Sequence, residues 1–389
     1  MSQALTLSRA LLLMTCTLSL AALGAPAALH TLDPHWQQQQ QQRSSTQIMQ
    51  RSQPPVLDMQ APGKRGSVTL EPMYSAQAGS WPFEPFVHNG LFRAIASYQA
   101  QHPRAVVIRG GSITLEQLRT QLNDARVLGR HDDGYLLSYP LMIADDAALL
   151  IDDQVLYLFG PSGTALINQG LLRVQNSRLQ SWSDGRATDT DRPTRPFIMN
   201  WAGSRLQIET SQLVRIGYNA NLSRGVSSGL SPHQSANRPP AQILIEGSRF
   251  EEMASALELN HSQALVRGNQ FIRQQQYAID LGNSRFLLAD NRIDGVKNNS
   301  GVRVSGSSSG RIQNNLILRA GKSAIEVSAQ HGALLIQGNR LGASLGYGLM
   351  LRQIGDGSGL LVQDNLIANS RLSAIDAAEL SGALILDNR

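Results

Sequence analysis

The sequence predicts an all-β fold, a right-handed parallel β-helix that follows an N-terminal α/β capping segment. Two observations support this prediction. A short pattern, Asn followed by any residue and then an apolar residue, recurs every 22–26 residues through the last third of the chain. Between these copies, short segments alternate apolar and polar residues without any helical period. A repeat of this length made of short strands and polar turns is typical of a solenoid in which each repeat forms one rung.

The recurring asparagines set the period of the solenoid, and they are Asn269, Asn291, Asn315, Asn339, Asn365 and Asn388. Less regular copies, "NSRL" and "GSRF", occupy residues 176–179 and 247–250. Asn tolerates the left-handed backbone of a tight corner, and stacked amides can hydrogen-bond along a ladder. A leucine-rich repeat has a similar period, but its L-x-x-L-x-L-x-x-N pattern is missing.

A second column lies earlier in each rung, in segments such as "SALELN" and "YAIDLG". Alternation predicts that one set of side chains faces the core, namely Leu257, Ile279, Val302, Ile325, Leu349 and Ile375. The other set is predicted to face solvent: Glu258, Asp280, Arg303, Glu326, Met350 and Asp376. Two positions later on the same face come Asn260, Gly282, Ser305, Ser328, Arg352 and Ala378. Such a flat strip suits an extended polymer. The alternative is a solvated sheet face with an ion-pair ladder, since Arg303 lies between two acids.

The N-terminal part divides into three segments. Residues 1–27 are predicted to be a secretory signal, with Arg9 before an apolar core and small residues at the end, although a membrane anchor is the alternative. The single cysteine, Cys16, lies within it, so the exported chain needs no disulfide, which fits a bacterial periplasm. Residues 28–66 are Gln-rich and are predicted to be a low-complexity linker.

Residues 67–140 are predicted to cap the solenoid. The stretches "LFRAIASYQAQ" and "TLEQLRTQLND" favour short helices, whereas "RAVVIRGG" and "GYLLSYPLMI" favour strands. The regular β-helix is then predicted to run over residues 141–389.

The formal net charge of +5 favours anionic partners such as nucleic acid, acidic polysaccharide or a membrane surface. Nucleic acid is disfavoured, because no run of Lys and Arg with interleaved aromatics occurs and the chain carries an export signal. No metal-ligand spacing, phosphate loop or nucleophile motif is present, so neither a metal nor a cofactor is predicted.

From about residue 134 onward the chain resembles the periplasmic mannuronan C5-epimerases of alginate biosynthesis. The matching segments, in order, are "TALINQGLLRVQNSRLQSW", "RPFIMNWAGSRLQI", "RIGYNANLSRGVS", "ILIEGSRFEEM" and "VRGNQF". The resemblance implies a right-handed parallel β-helix that acts on poly-β-D-mannuronate and converts residues of the polymer to α-L-guluronate.

This chemistry requires a base, a proton donor and a cation, because removing the C5 proton places negative charge beside the sugar carboxylate. The resemblance assigns the base to the His of an Asp-Pro-His-Asp motif and the cation to an Arg on the next rung. Here only Asp280 matches. Gly282 stands in the place of the His, and Gly306 stands in the place of the Arg. The classical catalytic pair is therefore predicted to be absent.

Substitutes for the missing groups can be named. Arg303 shares the strand of the lost Arg, and His261 and His233 lie near the strip in sequence; Asp280, Arg303 and His261 are thus the catalytic candidates. The substrate-binding candidates are Glu258, Asn260, Asp280, Arg303, Glu326, Arg352, His233 and Tyr277. The strip holds more carboxylate than cation, which suits a polyanion poorly. Glu258 and Asp280 on adjacent rungs also leave open a glycoside hydrolase.

Two main functions follow from the sequence. The chain is either an epimerase-like enzyme with rearranged catalytic residues or a non-catalytic polysaccharide-binding component of an exopolysaccharide export system, with other export proteins as partners. A surface adhesin is a weaker alternative. The last segment, "ALILDNR", stops on the Asn column. An open rung exposes unpaired backbone groups, so self-association through this edge is also expected.

Overall fold

The structure, a computed structural model, describes residues 34–87, 90–183, 195–355 and 357–389. The predicted signal at residues 1–27 lies outside the described residues. Within these ranges the α-helices are α1 (Pro34–Arg51), α2 (Leu91–Gln99) and α3 (Leu115–Leu122). Among the described residues, none of these helices combines the length and apolar character that a membrane crossing requires.

The first five strands lie in the predicted capping segment and are β1 (Ser67–Pro72), β2 (Arg104–Arg109), β3 (Ser112–Thr114), β4 (Leu128–His131) and β5 (Gly134–Leu137). The next twelve are β6 (Leu141–Ile143), β7 (Ala148–Asp152), β8 (Val155–Phe159), β9 (Leu166–Asn168), β10 (Leu171–Gln175), β11 (Arg178–Trp182), β12 (Ile198–Trp201), β13 (Arg205–Glu209), β14 (Gln212–Val214), β15 (Val226–Gly229), β16 (Ala241–Glu246) and β17 (Arg249–Glu251). The last seventeen are β18 (Leu257–Asn260), β19 (Ser262–Arg267), β20 (Gln270–Gln274), β21 (Ile279–Gly282), β22 (Arg285–Ala289), β23 (Arg292–Val296), β24 (Val302–Gly306), β25 (Ser309–Gln313), β26 (Leu316–Ala320), β27 (Ile325–Gln330), β28 (Ala333–Gln337), β29 (Arg340–Gly342), β30 (Leu349–Ile354), β31 (Gly359–Gln363), β32 (Leu366–Ala368), β33 (Ile375–Leu380) and β34 (Ala383–Leu386).

These strands form three long sheets. Sheet 1 has the order β1-β2-β6-β9-β12-β15-β18-β21-β24-β27-β30-β33, sheet 2 the order β3-β7-β10-β13-β16-β19-β22-β25-β28-β31-β34, and sheet 3 the order β4-β5-β8-β11-β14-β17-β20-β23-β26-β29-β32. Each rung adds one strand to each sheet in turn, as β18, β19 and β20 do. Pairing is parallel apart from the β1–β2 and β4–β5 pairs. The predicted parallel β-helix is confirmed.

The asparagine column forms a buried amide ladder at the corner between sheets 2 and 3. Asn269 Nδ2 donates to Asn291 Oδ1 at 3.0 Å, and Asn291 Nδ2 donates to Asn315 Oδ1 at 3.0 Å. The left-handed residues lie one position earlier, for example Asp290 with φ 56° and Asn314 with φ 55°. The stacking predicted for the column is therefore confirmed, whereas the left-handed conformation belongs to the residue before it.

The apolar column predicted for the core is confirmed in sheet 1. Leu257, Ile279 and Ile325 are completely buried, and the aligned Val302 and Leu349 are buried as well. Because the strands pair in register, each of these side chains stacks on its counterpart in the next rung.

The predicted linker at residues 28–66 differs from the structure. It contains helix α1, and Ile48 packs against Leu335 and Leu361. Residues 52–62, which we call the strap, then run across the outside of sheet 2. Arg311 donates to Ser52 O at 3.2 Å, and Arg285 donates to Gln53 O at 2.8 Å.

Further along, the strap reaches the N-terminal strands of sheet 2. Gln242 Oε1 accepts from the Asp58 amide at 2.6 Å, and Ser112 donates to Pro62 O at 2.6 Å. These contacts lie on β16 and β3, whereas Arg311 lies on β25, so the strap crosses the strands one after another. The composition of the strap suggested a solvated segment, but side chains that are distant in sequence form hydrogen bonds with several of its backbone groups.

Residues 80–87 and 90–99 form the part of the chain that we call the arm, which packs against the N-terminal rungs of sheet 1. Trp201 Nε1 donates to Pro82 O at 2.9 Å, and the Phe86 and Phe197 rings are 5.2 Å apart. Helix α2 packs closely as well, because a Cβ added at Gly163 would come within 2.8 Å of Ile95. The two predicted helices and the two predicted strand regions of the capping segment are confirmed. The contacts of the arm reach as far as Ser231, in the loop that follows β15.

Most residues of the last two strands, β33 and β34, are exposed or only partly buried. The self-association expected through them stays a prediction.

Candidate functional site

The outer face of sheet 1 carries the charged column predicted from the sequence. Register pairs Glu258 with Asp280, Asp280 with Arg303, and Arg303 with Glu326. Successive strands are about 4.8 Å apart, so these side chains form a closely spaced row. We call this surface the strip, which consists of Glu258, Asn260, Asp280, Gly282, Arg303, Ser305, Glu326 and Ser328.

At the centre of the strip, Asp280 and Arg303 form a bidentate ion pair. Arg303 Nε donates to Asp280 Oδ1 at 2.7 Å, and Nη2 donates to Oδ2 at 2.5 Å. The guanidinium also lies over the Tyr277 ring, 4.6 Å from its centroid, and Nη1 donates to the Tyr277 hydroxyl at 3.3 Å. The prediction that Asp280 faces solvent needs correction, because it is only 5% exposed beneath these two neighbours.

The buried environment of Asp280 disfavours the ionised form of its carboxyl group. Burial raises the pKa of the Asp280 carboxyl, and the hydrogen bonds and positive charge of Arg303 offset this only in part. Burial likewise raises the pKa of Tyr277 above its ordinary value. Tyr277 is therefore a neutral hydroxyl at neutral pH rather than a base.

The other charges of the strip have separate partners. Arg224 Nη1 donates to Glu258 Oε1 at 2.8 Å, and Ser300 donates to Glu326 Oε2 at 2.6 Å. The continuous ion-pair ladder considered from the sequence is thus not formed, because Arg303 binds Asp280 through two nitrogens. Further along, Arg352 Nε pairs with Asp376 Oδ2 at 2.9 Å.

A cleft of about 660 Å³ closes the N-terminal end of the strip. Its walls come from the arm, from the loops on both sides of β15 and from the first rungs of the strip; they include Glu84, Trp201, Asn221, Leu222, His233, Glu258, Asn260, His261 and Asn283. The cleft therefore brings His233 and His261 to the same place as Glu258 and Asn260.

Glu84 enters this cleft from the arm. Ser231 donates to Glu84 Oε1 at 3.0 Å, and His233 Nε2 lies 3.6 Å from the same oxygen. Burial raises the pKa of Glu84 above its usual value.

The structure does not support His261 as a base that leans over the strip. It occupies the corner between sheets 1 and 2 with φ 52°, and its Nε2 lies 3.0 Å from the carbonyl oxygen of Arg238. That contact occupies one ring nitrogen, and the ring lines the cleft at the end of the strip.

Gly282 and Gly306, the two positions to which the resemblance assigns the catalytic His and Arg, differ in the space around them. A Cβ at Gly282 would meet only the Asn260 side chain, at 3.6 Å, which is ordinary contact. A Cβ at Gly306 would lie 2.5 Å from Asn283 Oδ1, and the backbone there has φ +66°. Side chains other than Gly are disfavoured at such a φ, so an Arg cannot occupy position 306 without rearrangement of this corner.

Sequence reasoning missed four residues that shape the site, Glu84, Arg224, Ser231 and Ser300. They lie in loops or in the arm, outside the periodic columns, and no local pattern marks them. Within the described ranges, no group of three or more His, Cys, Asp or Glu side chains is arranged to hold a metal ion.

The fold defines a right-handed β-helix protein, and comparison with known proteins agrees with this class. The family described as "Right handed beta helix region" matches residues 228–389. Two solved structures of the periplasmic alginate epimerase AlgG share this fold. The unmodified protein has a TM-score of 0.59 at 17% identity, covering 87% of this chain and 99% of that one. A mutant of it has a TM-score of 0.63 at 16% identity, with the same coverage.

The chain is also similar in sequence to known mannuronan C5-epimerases. The chain is 30% identical over 220 residues to the mannuronan C5-epimerase of Pseudomonas aeruginosa, covering 53% of this chain and 40% of the relative. It is 29% identical over 230 residues to mannuronan C5-epimerase AlgG of Azotobacter vinelandii, covering 56% and 44%. The resemblance to mannuronan C5-epimerases predicted from the sequence is confirmed. The chain spans less than half the length of these relatives.

Proposed function

We propose that this chain is an exported β-helix protein that acts on an exopolysaccharide bound along the strip. The observation that carries the proposal is the strip itself. Its polar side chains repeat in register from rung to rung, and the cleft closes one end.

Both the spacing and the chemistry of the strip suit a polysaccharide. Asn260, Ser305 and Ser328 offer hydrogen-bonding groups along the strip. Glu326 and Arg303, the ion-pair partner of Asp280, offer charged groups. An extended polymer that crosses the rungs meets a new set of groups about every 4.8 Å. Similarity to epimerases of mannuronan, one of them described as periplasmic, supports both the substrate class and a periplasmic location.

The proposal does not include classical C5 epimerisation. Gly282 and Gly306 replace the base and the cation that the resemblance implies. Arg303 is not a ready substitute, because it already makes two hydrogen bonds to the buried Asp280. A uronate carboxylate would have to compete with that pair.

A second candidate is a non-catalytic component that binds or guides the polymer within an export system. The ion pairs favour it, since Arg224, Arg303 and Arg352 each contact a carboxylate of the protein rather than remaining open for a reacting group.

Binding and chemistry can be tested on the same purified protein. We expect titration with mannuronate, mannose and glucosamine oligomers, followed by NMR or calorimetry, to show binding that Asn260→Ala and Glu326→Gln weaken. Glu209→Gln, on sheet 2, is the matched control and keeps full affinity. Proton NMR of treated polymannuronate is expected to show no new guluronate. Binding that survives both strip substitutions would place the polymer elsewhere and refute the proposal.

A further inference from the structure

The cleft at the end of the strip contains two carboxyl groups from distant parts of the chain. Glu84 comes from the arm and Glu258 from β18, and both line the same cavity of about 660 Å³. Neither residue occupies the catalytic position of the epimerase resemblance, which lies one and two rungs further along sheet 1 at Gly282 and Gly306.

Each carboxyl group is held through one oxygen only. Glu84 Oε1 accepts from Ser231, and Glu258 Oε1 accepts from Arg224 at 2.8 Å. The second oxygen of each, Glu84 Oε2 and Glu258 Oε2, is buried without a hydrogen-bond partner among the described residues. A buried carboxyl oxygen without a partner disfavours the ionised form, unless a substrate or a water molecule supplies a donor.

The two groups differ in the cations that face them. Glu258 contacts Arg224, which is itself held by Asn219 Oδ1 at 3.2 Å. Within the described part of the chain, the basic side chain that lies near Glu84 is the exposed His233, at 3.6 Å. Burial raises the pKa of both carboxyls; at Glu258 the charge of Arg224 opposes this and the charge of Asp280 adds to it. The ion pair with Arg224 suits Glu258 to the role of the ionised partner, and Glu84, which forms no ion pair with an arginine of the described residues, to that of the proton donor.

The charge of the site selects between reaction classes. Proton abstraction at C5 builds negative charge, which a site rich in carboxylates destabilises. Glycoside hydrolysis builds positive charge on the sugar ring, and a pair of carboxyl groups is the usual way to stabilise it. Among the described residues, the arginines beside the strip are engaged with Glu258, Asp280 and Asp376, which leaves none of them ready to neutralise a uronate.

We propose that Glu84 and Glu258 form a glycoside-hydrolysing site in the cleft, a proposal that rests on polysaccharide binding along the strip. Glu84 donates its proton to the glycosidic oxygen as the bond from that oxygen to C1 breaks. A water molecule forms the new bond to C1 and gives its proton to Glu258. One water molecule is consumed, one new reducing end and one new hydroxyl appear, and the proton on Glu258 returns to Glu84 through solvent.

Three polymers test the proposal, namely polymannuronate, a neutral β-mannan and chitosan. We expect the full chain to shorten at least one polymer that it binds, measured as new reducing ends and as smaller size on gel filtration. Glu84→Gln and Glu258→Gln are each expected to lower the rate by about 100-fold or more, the usual loss for a general acid or base. Both variants keep the circular dichroism spectrum of the wild type.

Glu209→Gln on sheet 2 is the control and retains the full rate. In Glu84→Gln the alkaline limb of the pH–rate profile disappears, which a purely structural role of Glu84 would not cause. If the protein binds a polymer yet shortens none of the three, hydrolysis is refuted while the proposed binding stands. If Glu84→Gln and Glu258→Gln cleave at the wild-type rate, the assignment of the hydrolysing site to these two residues is refuted. If the protein binds none of the three polymers, the proposed function fails first.

Discussion

Arg303→Ala is the most informative single substitution for the strip. Arg303 makes two charge-assisted hydrogen bonds to Asp280, whose side chain is only 6% exposed, and lies over Tyr277. Removing one partner of a buried pair typically costs about 3–5 kcal/mol, because the other charge remains buried and unpaired. Arg303 is itself about one-third exposed, so solvent reduces the loss, and we expect about 3 kcal/mol at neutral pH.

The pH dependence of this loss follows from the Asp280 carboxyl. Burial already raises its folded-state pKa above the unfolded value, so ionised Asp280 destabilises the fold at pH values above that folded pKa. Without Arg303 the folded pKa rises further. The stability lost in Arg303→Ala is therefore largest at neutral pH and disappears below about pH 4, where Asp280 is protonated in both states.

Urea unfolding followed by circular dichroism at neutral and acidic pH measures both effects. Asp280→Asn provides the second arm of a double-mutant cycle, and the double variant is expected to regain most of the stability that Arg303→Ala loses. The reasoning would be refuted if Arg303→Ala lost the same free energy at both pH values, or if Asp280→Asn gave no relief.

Three further predictions concern the corners and the strap. Asn315→Ala removes the amide that donates to Asn339 Oδ1 and to Leu288 O, two buried oxygen atoms, and we expect a loss of about 2–3 kcal/mol in the same unfolding assay. The control Gln263→Ala, at a half-buried position of β19, is expected to be close to neutral. The double variant Gly282→His with Gly306→Arg is expected to yield no guluronate by proton NMR. It is also expected to be less stable than the wild type, because the Arg side chain would meet Asn283 at a position with a left-handed backbone, whereas Gly282→His alone is tolerated. Robust epimerisation by the double variant would contradict this account. Arg311→Ala removes the side chain that donates hydrogen bonds to the carbonyl groups at the start of the strap. Limited proteolysis near the exposed Val56 is therefore expected to become faster while the β-helix stays intact. An unchanged cleavage rate would show that the strap does not depend on this contact.

The sequence by itself determined the solenoid, because its signals are local and repeat. The Asn column, the alternation of Ile279 with Asp280 and the breaks between segments recur in each rung, and in-register stacking is the arrangement that buries every inward column at once. The same alternation placed Glu258, Asp280, Arg303 and Glu326 in one row of the strip. That Gly282 and Gly306 stand in the places of the His and the Arg of the epimerase motif stays a prediction from the resemblance.

Only the tertiary structure decided which partner each charged side chain has. Arg224 reaches Glu258 across 34 residues of sequence, and Ser231 reaches Glu84 across 147. The strap has the composition of a solvated linker, yet Arg311 holds it from 259 residues away. These contacts depend on where the loops and the arm come to rest against the sheets. Hydrophobic alternation carries no information about that placement, because it fixes the face of a side chain and not its neighbour.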